Sequence, residues 1–203
     1  MTSRLLSPEA LALRPDLRAL YEGAFPDEER IPWDDLLRLV REMPLEFAEY
    51  RDGEELLGLT IVYPRTRLSW FWYFAVPEER RGRGIGQRIL SAFLARYEGR
   101  SVVLDMEDPA QPDAPNPEQR RRRRDFYLRN GFRETGVGRT YGPVAMTILL
   151  RGDDTFTQAD YSQITAELFR LWRPPGVMHN AQCTMHNAEP YHSTTQPPNH
   201  LTT

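Results

Sequence analysis

The stretch 68–97 constrains the fold of this chain more than any other. Residues 70–76 form an unbroken apolar run. The wider segment 68–76 is rich in aromatics and apolar on both faces, as a strand buried from both sides must be. The run is too short to cross a bilayer. Gly82, Gly84 and Gly86 follow at alternate positions. Ile85, Ile89, Leu90, Phe93, Leu94 and Tyr97 then recur at helical spacing. A central strand that bends through glycines into an amphipathic helix needs a sheet covered by helices. That is an α/β arrangement.

The flanking pattern completes this frame. Apolar spacing predicts helices over 15–24 and 34–43, then strands over 47–51 and 56–63 around the hairpin signal Asp52-Gly53. A short buried strand is expected at 101–106. A Pro-rich loop follows, then a helix over 118–128 that ends on Asn130-Gly131. Strands at 132–141 and 144–150 turn around Gly142-Pro143. A last helix, 157–172, opens on a capping relation between Thr157 and Asp160. The 203 residues suit one domain. From 174 to 203 arginine disappears and Asn, His, Thr, Gln and Pro dominate, so a disordered polar tail is expected there. The spacing of His179, Cys183 and His186 is vaguely metal-like, but a polar tail without a fold around it is the better reading, and no metal is expected.

Chemistry is narrowed by what the chain lacks. Every side-chain cation apart from histidine is arginine, which excludes Schiff-base chemistry and any lysine base. All four histidines lie from His179 onward, so acid–base work in the body falls to Glu, Asp, Tyr or water. One cysteine excludes an internal disulfide and points to a reducing cytoplasm. No secretory signal is readable, and no membrane association is expected. The net charge of −3 gives no support to nucleic-acid binding.

The bend itself suits an anion. Its glycines let the backbone curl and approach a ligand. The helix behind it starts with amides that have no internal partner, and these, with the helix dipole, favour a pyrophosphate. Arg80, Arg81 and Arg83 add charge. A dinucleotide fingerprint fails because Gln87 stands where its third glycine belongs, and a P-loop fails for want of lysine. What fits is R-x-x-G-x-G, read as Arg81, Gly84 and Gly86. Farther on, Phe126-Tyr127-Leu128-Arg129-Asn130-Gly131-Phe132 reads as F-Y-x-x-x-G-F.

With both motifs in this order, the sequence resembles the GNAT acetyltransferase superfamily over about residues 1–150. The resemblance implies a single-domain α/β fold, a twisted mixed β-sheet with flanking helices, followed by a C-terminal helix over 151–173. In that family two central strands splay and admit the pantetheine arm; here they are 68–76 and 101–106. Acetyl-CoA would then rest on Ala75, Val76, Arg81, Gly82, Arg83, Gly84, Ile85 and Gly86, with a main-chain N–H near Val76 polarising the thioester. Tyr127 matches the usual general acid. A phenol of pKa ~10 can donate to a departing thiolate of pKa ~8.5.

Two departures bear on the base. A glutamate that many relatives carry on the central strand is Trp72 here. An asparagine and a small residue usual in the tyrosine helix are Arg120 and Arg123. Glu107, at the end of the 101–106 strand, is the remaining candidate base, with Asp105 on the same alternation. Glu28 and Glu29, in a loop that lines the acceptor pocket in this family, are candidates for binding the amine. The run 120–124 reads as a solvated helix face, with one or two side chains near the coenzyme's phosphates. The expected activity is transfer of an acetyl group to a primary amine by direct transfer in a ternary complex, with a small-molecule acceptor favoured. Alternatives are a protein or peptide N-acetyltransferase and a non-catalytic coenzyme A sensor. The last helix can pack on its own sheet or on a partner, which leaves a homodimer open.

Overall fold

The computed structural model describes residues 1–27, 29–112, 114–141 and 143–171. Glu28, Gly142, Trp172 and the expected tail, 174–203, lie outside the described residues. Seven strands form one sheet in the order β1-β2-β3-β4-β5-β7-β6. They are β1 (Thr2–Leu5), β2 (Glu46–Asp52), β3 (Glu55–Tyr63), β4 (Leu68–Ala75), β5 (Ser101–Glu107), β6 (Arg133–Tyr141) and β7 (Val144–Arg151). The helices are α1 (Pro8–Ala12), α2 (Pro15–Ala24), α3 (Trp33–Glu42), α4 (Ile85–Arg96), α5 (Pro117–Arg129) and α6 (Gln158–Leu171). All neighbouring strands are antiparallel except β4 and β5.

Alternation along the strands makes three layers. Trp70, Val103 and Ile148 face a core shared with α1, α2, α3 and α6. Phe71, Val102 and Leu149 face the opposite core with α4 and α5. Phe71 and Phe93 stack there with centroids 4.2 Å apart. Helix α6 lays Tyr161, Ile164 and Leu168 on its own sheet. Arg65 ion-pairs with Glu167 at 2.7 Å and ties that helix to the β3–β4 loop. Among the described residues, no helix is long and apolar enough to cross a membrane.

The elements before residue 15 have no counterpart in the sequence reading. β1 has four residues, all exposed, so no burial pattern marks it. It exists because it pairs along β2, from Thr2 with Arg51 to Leu5 with Ala48. Only the tertiary partner makes such an edge strand.

The sheet opens in the middle. β4 and β5 pair only at Leu68–Ser101, Ser69–Val102 and Trp70–Val103. Immediately beyond, β4 carries a bulge. Val62 of β3 faces Phe71 while Ile61 faces Tyr73, which leaves Trp72 as the extra residue. A bulge bends its strand and adds twist. From Phe71 onward the β4 edge toward β5 therefore has no strand partner, and its main-chain groups face the gap.

Candidate active site

The gap opens into a cavity of about 760 Å3 lined by β4, β5, α5, α6, the glycine turn and the α2–α3 loop. Of the sequence-based candidates, Glu29, Ala75, Val76, Arg81, Gly82, Gly86, Glu107 and Tyr127 all line it. Arg83, Gly84 and Ile85 complete the turn beside it without lining it. Glu28 falls outside the described residues.

The turn has the geometry an anion needs. Gly82 and Gly84 both have φ of +75°, the left-handed region in which a side chain is strained. Gly84 caps α4 without any side-chain hydrogen bond, and the first helical bond runs from Arg88 N to Gly84 O. The amides of residues 85–87 thus precede the ladder. Arg81 Nε donates to Val76 O at 3.2 Å, pinning the turn to the end of β4. Arg80 does not serve the turn: it pairs with Glu55. Arg83 and Arg122 are exposed and have no polar partner among the described residues, and Arg122 lines the cavity.

Tyr127 lines the same cavity as this turn. Its side chain packs at an angle between Phe126 and Phe132, 5.3 and 5.5 Å away between centroids. Only 8% of the residue is exposed. Burial pushes its phenol up to about 12, the field of Asp105 adds to this, and Arg123 opposes it. The hydroxyl has no hydrogen-bond partner among the described residues, so it is a protonated donor held at a cavity wall.

Gln87 and Asn130 lock the two motifs together. Gln87 Nε2 donates to Asn130 Oδ1 at 2.6 Å, and Asn130 Nδ2 donates back to Gln87 Oε1 at 3.1 Å. The start of α4 is thereby fastened to the end of α5, one residue before the glycine with φ of +82° at 131. Sequence reasoning noticed Gln87 only as a missing glycine. No local pattern signals an amide pair across 43 residues.

The run 120–124 is not a uniformly solvated face. Arg120 is 2% exposed. It donates to Asn116 Oδ1 at 2.9 Å, Gln111 Oε1 at 2.9 Å, Asp108 O at 3.2 Å and Glu107 Oε1 at 2.8 Å. A buried guanidinium is tolerated only with such partners. It fastens the β5–α5 loop. Glu107 accepts from Arg120 through one oxygen and from Arg123 through the other, at 3.2 Å. It faces the cavity, as a base must, with both oxygens engaged.

On the side away from α4, Tyr73 donates to Glu29 O at 3.2 Å, and Tyr21 donates to Ile31 O at 3.1 Å. The first bond fixes the α2–α3 loop against β4, and the second ties it back to α2. Burial raises the Tyr73 phenol well above its ordinary value, the field and hydrogen bond of Tyr21 adding to the effect. Trp72, extruded by the bulge, stacks on Tyr73 at 5.3 Å. Among the described residues no group of His, Cys, Asp and Glu is arranged to hold a metal ion.

Comparisons with known proteins bear on the fold. The profile of the GNAT acetyltransferase domain matches residues 46–134. No curated protein matches the chain by sequence. Among solved structures, the fold is similar to a protein from Bacteroides thetaiotaomicron assigned to the GNAT acetyltransferases, at 21% identity and a TM-score of 0.67, over 83% of this chain and 96% of that one. It is also similar to an aminoglycoside 6'-N-acetyltransferase complexed with coenzyme A (18% identity, TM-score 0.58, 74% of this chain and 96% of that one). A third is a GNAT-like decarboxylase in complex with isobutyryl-CoA (17% identity, TM-score 0.59, 75% and 99%).

Proposed function

We propose, from the match of residues 46–134 to the GNAT acetyltransferase domain, that the chain transfers an acetyl group from acetyl-CoA to a primary amine of a small molecule, directly, within a ternary complex. One observation carries the reading. A buried, protonated tyrosine lines the same cavity as a left-handed glycine turn, where two parallel strands part company.

Each part has work to do. The amides of residues 85–87, with Arg81, Arg83 and Arg122, suit the diphosphate. The unpaired edge of β4, from Phe71 to Val76, offers main-chain groups to the pantetheine amides, and an N–H there polarises the thioester carbonyl and stabilises the developing oxyanion. The amine nitrogen bonds to the acetyl carbon as the carbon–sulfur bond breaks. The coenzyme leaves as thiol, and the proton lost by the ammonium goes to solvent. Tyr127 donates to the departing sulfur. A phenol near 12 is a weaker acid than a thiol near ~8.5. Its contribution is therefore a hydrogen bond that lowers the cost of charge on sulfur, with net protonation completed by water. Glu107 lends negative charge to the acceptor side while its oxygens hold Arg120 and Arg123. A cytoplasmic setting follows from the co-substrate and the lone cysteine.

The test is thiol release from acetyl-CoA across a panel of small amines and peptides, alongside the thermal shift produced by acetyl-CoA. Turnover with small amines supports the proposal. Turnover confined to peptides makes the protein a peptide acetyltransferase. Silence despite a clear shift makes it a coenzyme A sensor.

A further inference from the structure

Three acids line the cavity: Glu29, Asp105 and Glu107. They differ in what remains free. Glu107 has given both oxygens to arginines. Glu29 is exposed on its loop. Asp105 is 8% exposed at the side chain and uses one oxygen only. Arg139 Nε donates to Oδ2 at 3.0 Å and Arg139 Nη2 donates to the same atom. Oδ1 has no partner among the described residues. That oxygen is reachable from the cavity, so the donor it lacks within the protein can come from water or from a ligand seated there. Asp105 also stands where the chemistry converges, since its charge acts on both Tyr127 and Tyr73.

The surroundings restrict what that donor can be. Three carboxylates line this cavity, and the guanidiniums of Arg139, Arg120 and Arg123 stand against two of them. Arg81 and Arg122 add further cations to the wall. There is no excess negative charge to hold a polycation. The neighbouring wall is apolar and half-buried, built from Phe25, Trp72, Val144 and Met146. Met146 lies directly opposite Glu107 across the β5–β7 ladder.

Resting on the acetyltransferase reading, we propose that the acceptor is a monoamine with an apolar or aromatic body, and that its single ammonium docks on Oδ1 of Asp105. The body then lies on Trp72 and Met146, and Tyr127 stands beside the reacting atoms. One free carboxylate oxygen matches one cation. Polyamines and aminoglycosides bring further charges that meet Arg122, Arg123 and Arg139.

The experiment uses the full chain, acetyl-CoA, and phenethylamine, spermidine and kanamycin as probes. Phenethylamine is expected to have the highest kcat/KM, by about tenfold or more. Asp105→Asn should raise its KM by a similar factor while the thermal shift with acetyl-CoA stays unchanged. Trp72→Leu, which leaves every charge in place, should reduce the preference for phenethylamine over butylamine. A higher kcat/KM for spermidine or kanamycin overturns the inference and leaves the acetyltransferase reading standing. So does an Asp105→Asn variant with an unaltered KM. If acetyl-CoA gives no shift and no probe is turned over, the acetyltransferase reading falls, and this inference with it.

Discussion

The two halves of the cavity are built from different materials. The half proposed for the coenzyme uses main chain: a glycine turn with φ of +75° at two positions, the free amides of α4, and an unpaired strand edge. The half proposed for the acceptor uses side chains: Asp105 on Arg139, Glu107 between Arg120 and Arg123, and Tyr73, which fastens a loop to β4. Main-chain groups are the same in every sequence, so a phosphate site needs little beyond backbone conformation. Ion pairs depend on each residue identity, and an acceptor site made of them can be re-specified without altering the fold. The difference teaches where specificity resides in this molecule.

Substitutions can break the contrast, beginning with the largest effect. Arg120→Met removes four hydrogen bonds at a buried position and strips Glu107 of one partner. It should cost about 3–5 kcal/mol of stability, read from denaturant midpoints. Because α4 and its turn are untouched, the folded variant should still gain stability from acetyl-CoA; loss of that gain would show that the halves are not separable. Tyr127→Phe should lower kcat on the order of 100-fold with little change in KM for acetyl-CoA. Wild-type turnover in that variant removes the hydroxyl from the mechanism.

Gly84→Asp places a side chain at a left-handed position, at about 1–2 kcal/mol of strain, and sets a carboxylate against the anion site. The acetyl-CoA thermal shift should vanish, and an unchanged shift moves the coenzyme site elsewhere. Gln87→Leu cuts the amide pair between α4 and α5 at an exposed position, for about 1 kcal/mol or less. Its sharper signature is a lower kcat without loss of coenzyme binding, since the pair aligns the two motifs. An effect on stability alone would make it a simple tether.

The smallest expected effect is a flat line. Burial raises the Tyr127 phenol, so its donor form persists to higher pH than that of an ordinary tyrosine. From about pH 8 to about pH 10, kcat should show no falling limb. A limb in that range that disappears in Tyr127→Phe would mean the phenol is not buried in solution as it is here.

Much of the frame was legible because it is local. The helix over 15–24 was read from spacing with the bounds observed for α2, and the Asp52-Gly53 turn, the glycine bend and the Asn130-Gly131 stop each declare themselves within a few residues. The same reasoning passed over β1, which has no buried face, and treated Arg120 as solvent-facing, because a charge run on a helix carries no mark of the one member that turns inward.

The amino-acid sequence alone determined the order of elements and the phosphate-type turn, since glycine conformation, helical period and free first-turn amides act over a few neighbouring residues. Which carboxylate keeps an oxygen free of arginine was decided only in three dimensions. Asp105 meets Arg139 across 34 residues and Glu107 meets Arg120 across 13, while the opening between β4 and β5 lies beside a bulge at Trp72 set by register with β3. Charge pairing depends on distance in space, and spacing along the chain carries no record of it.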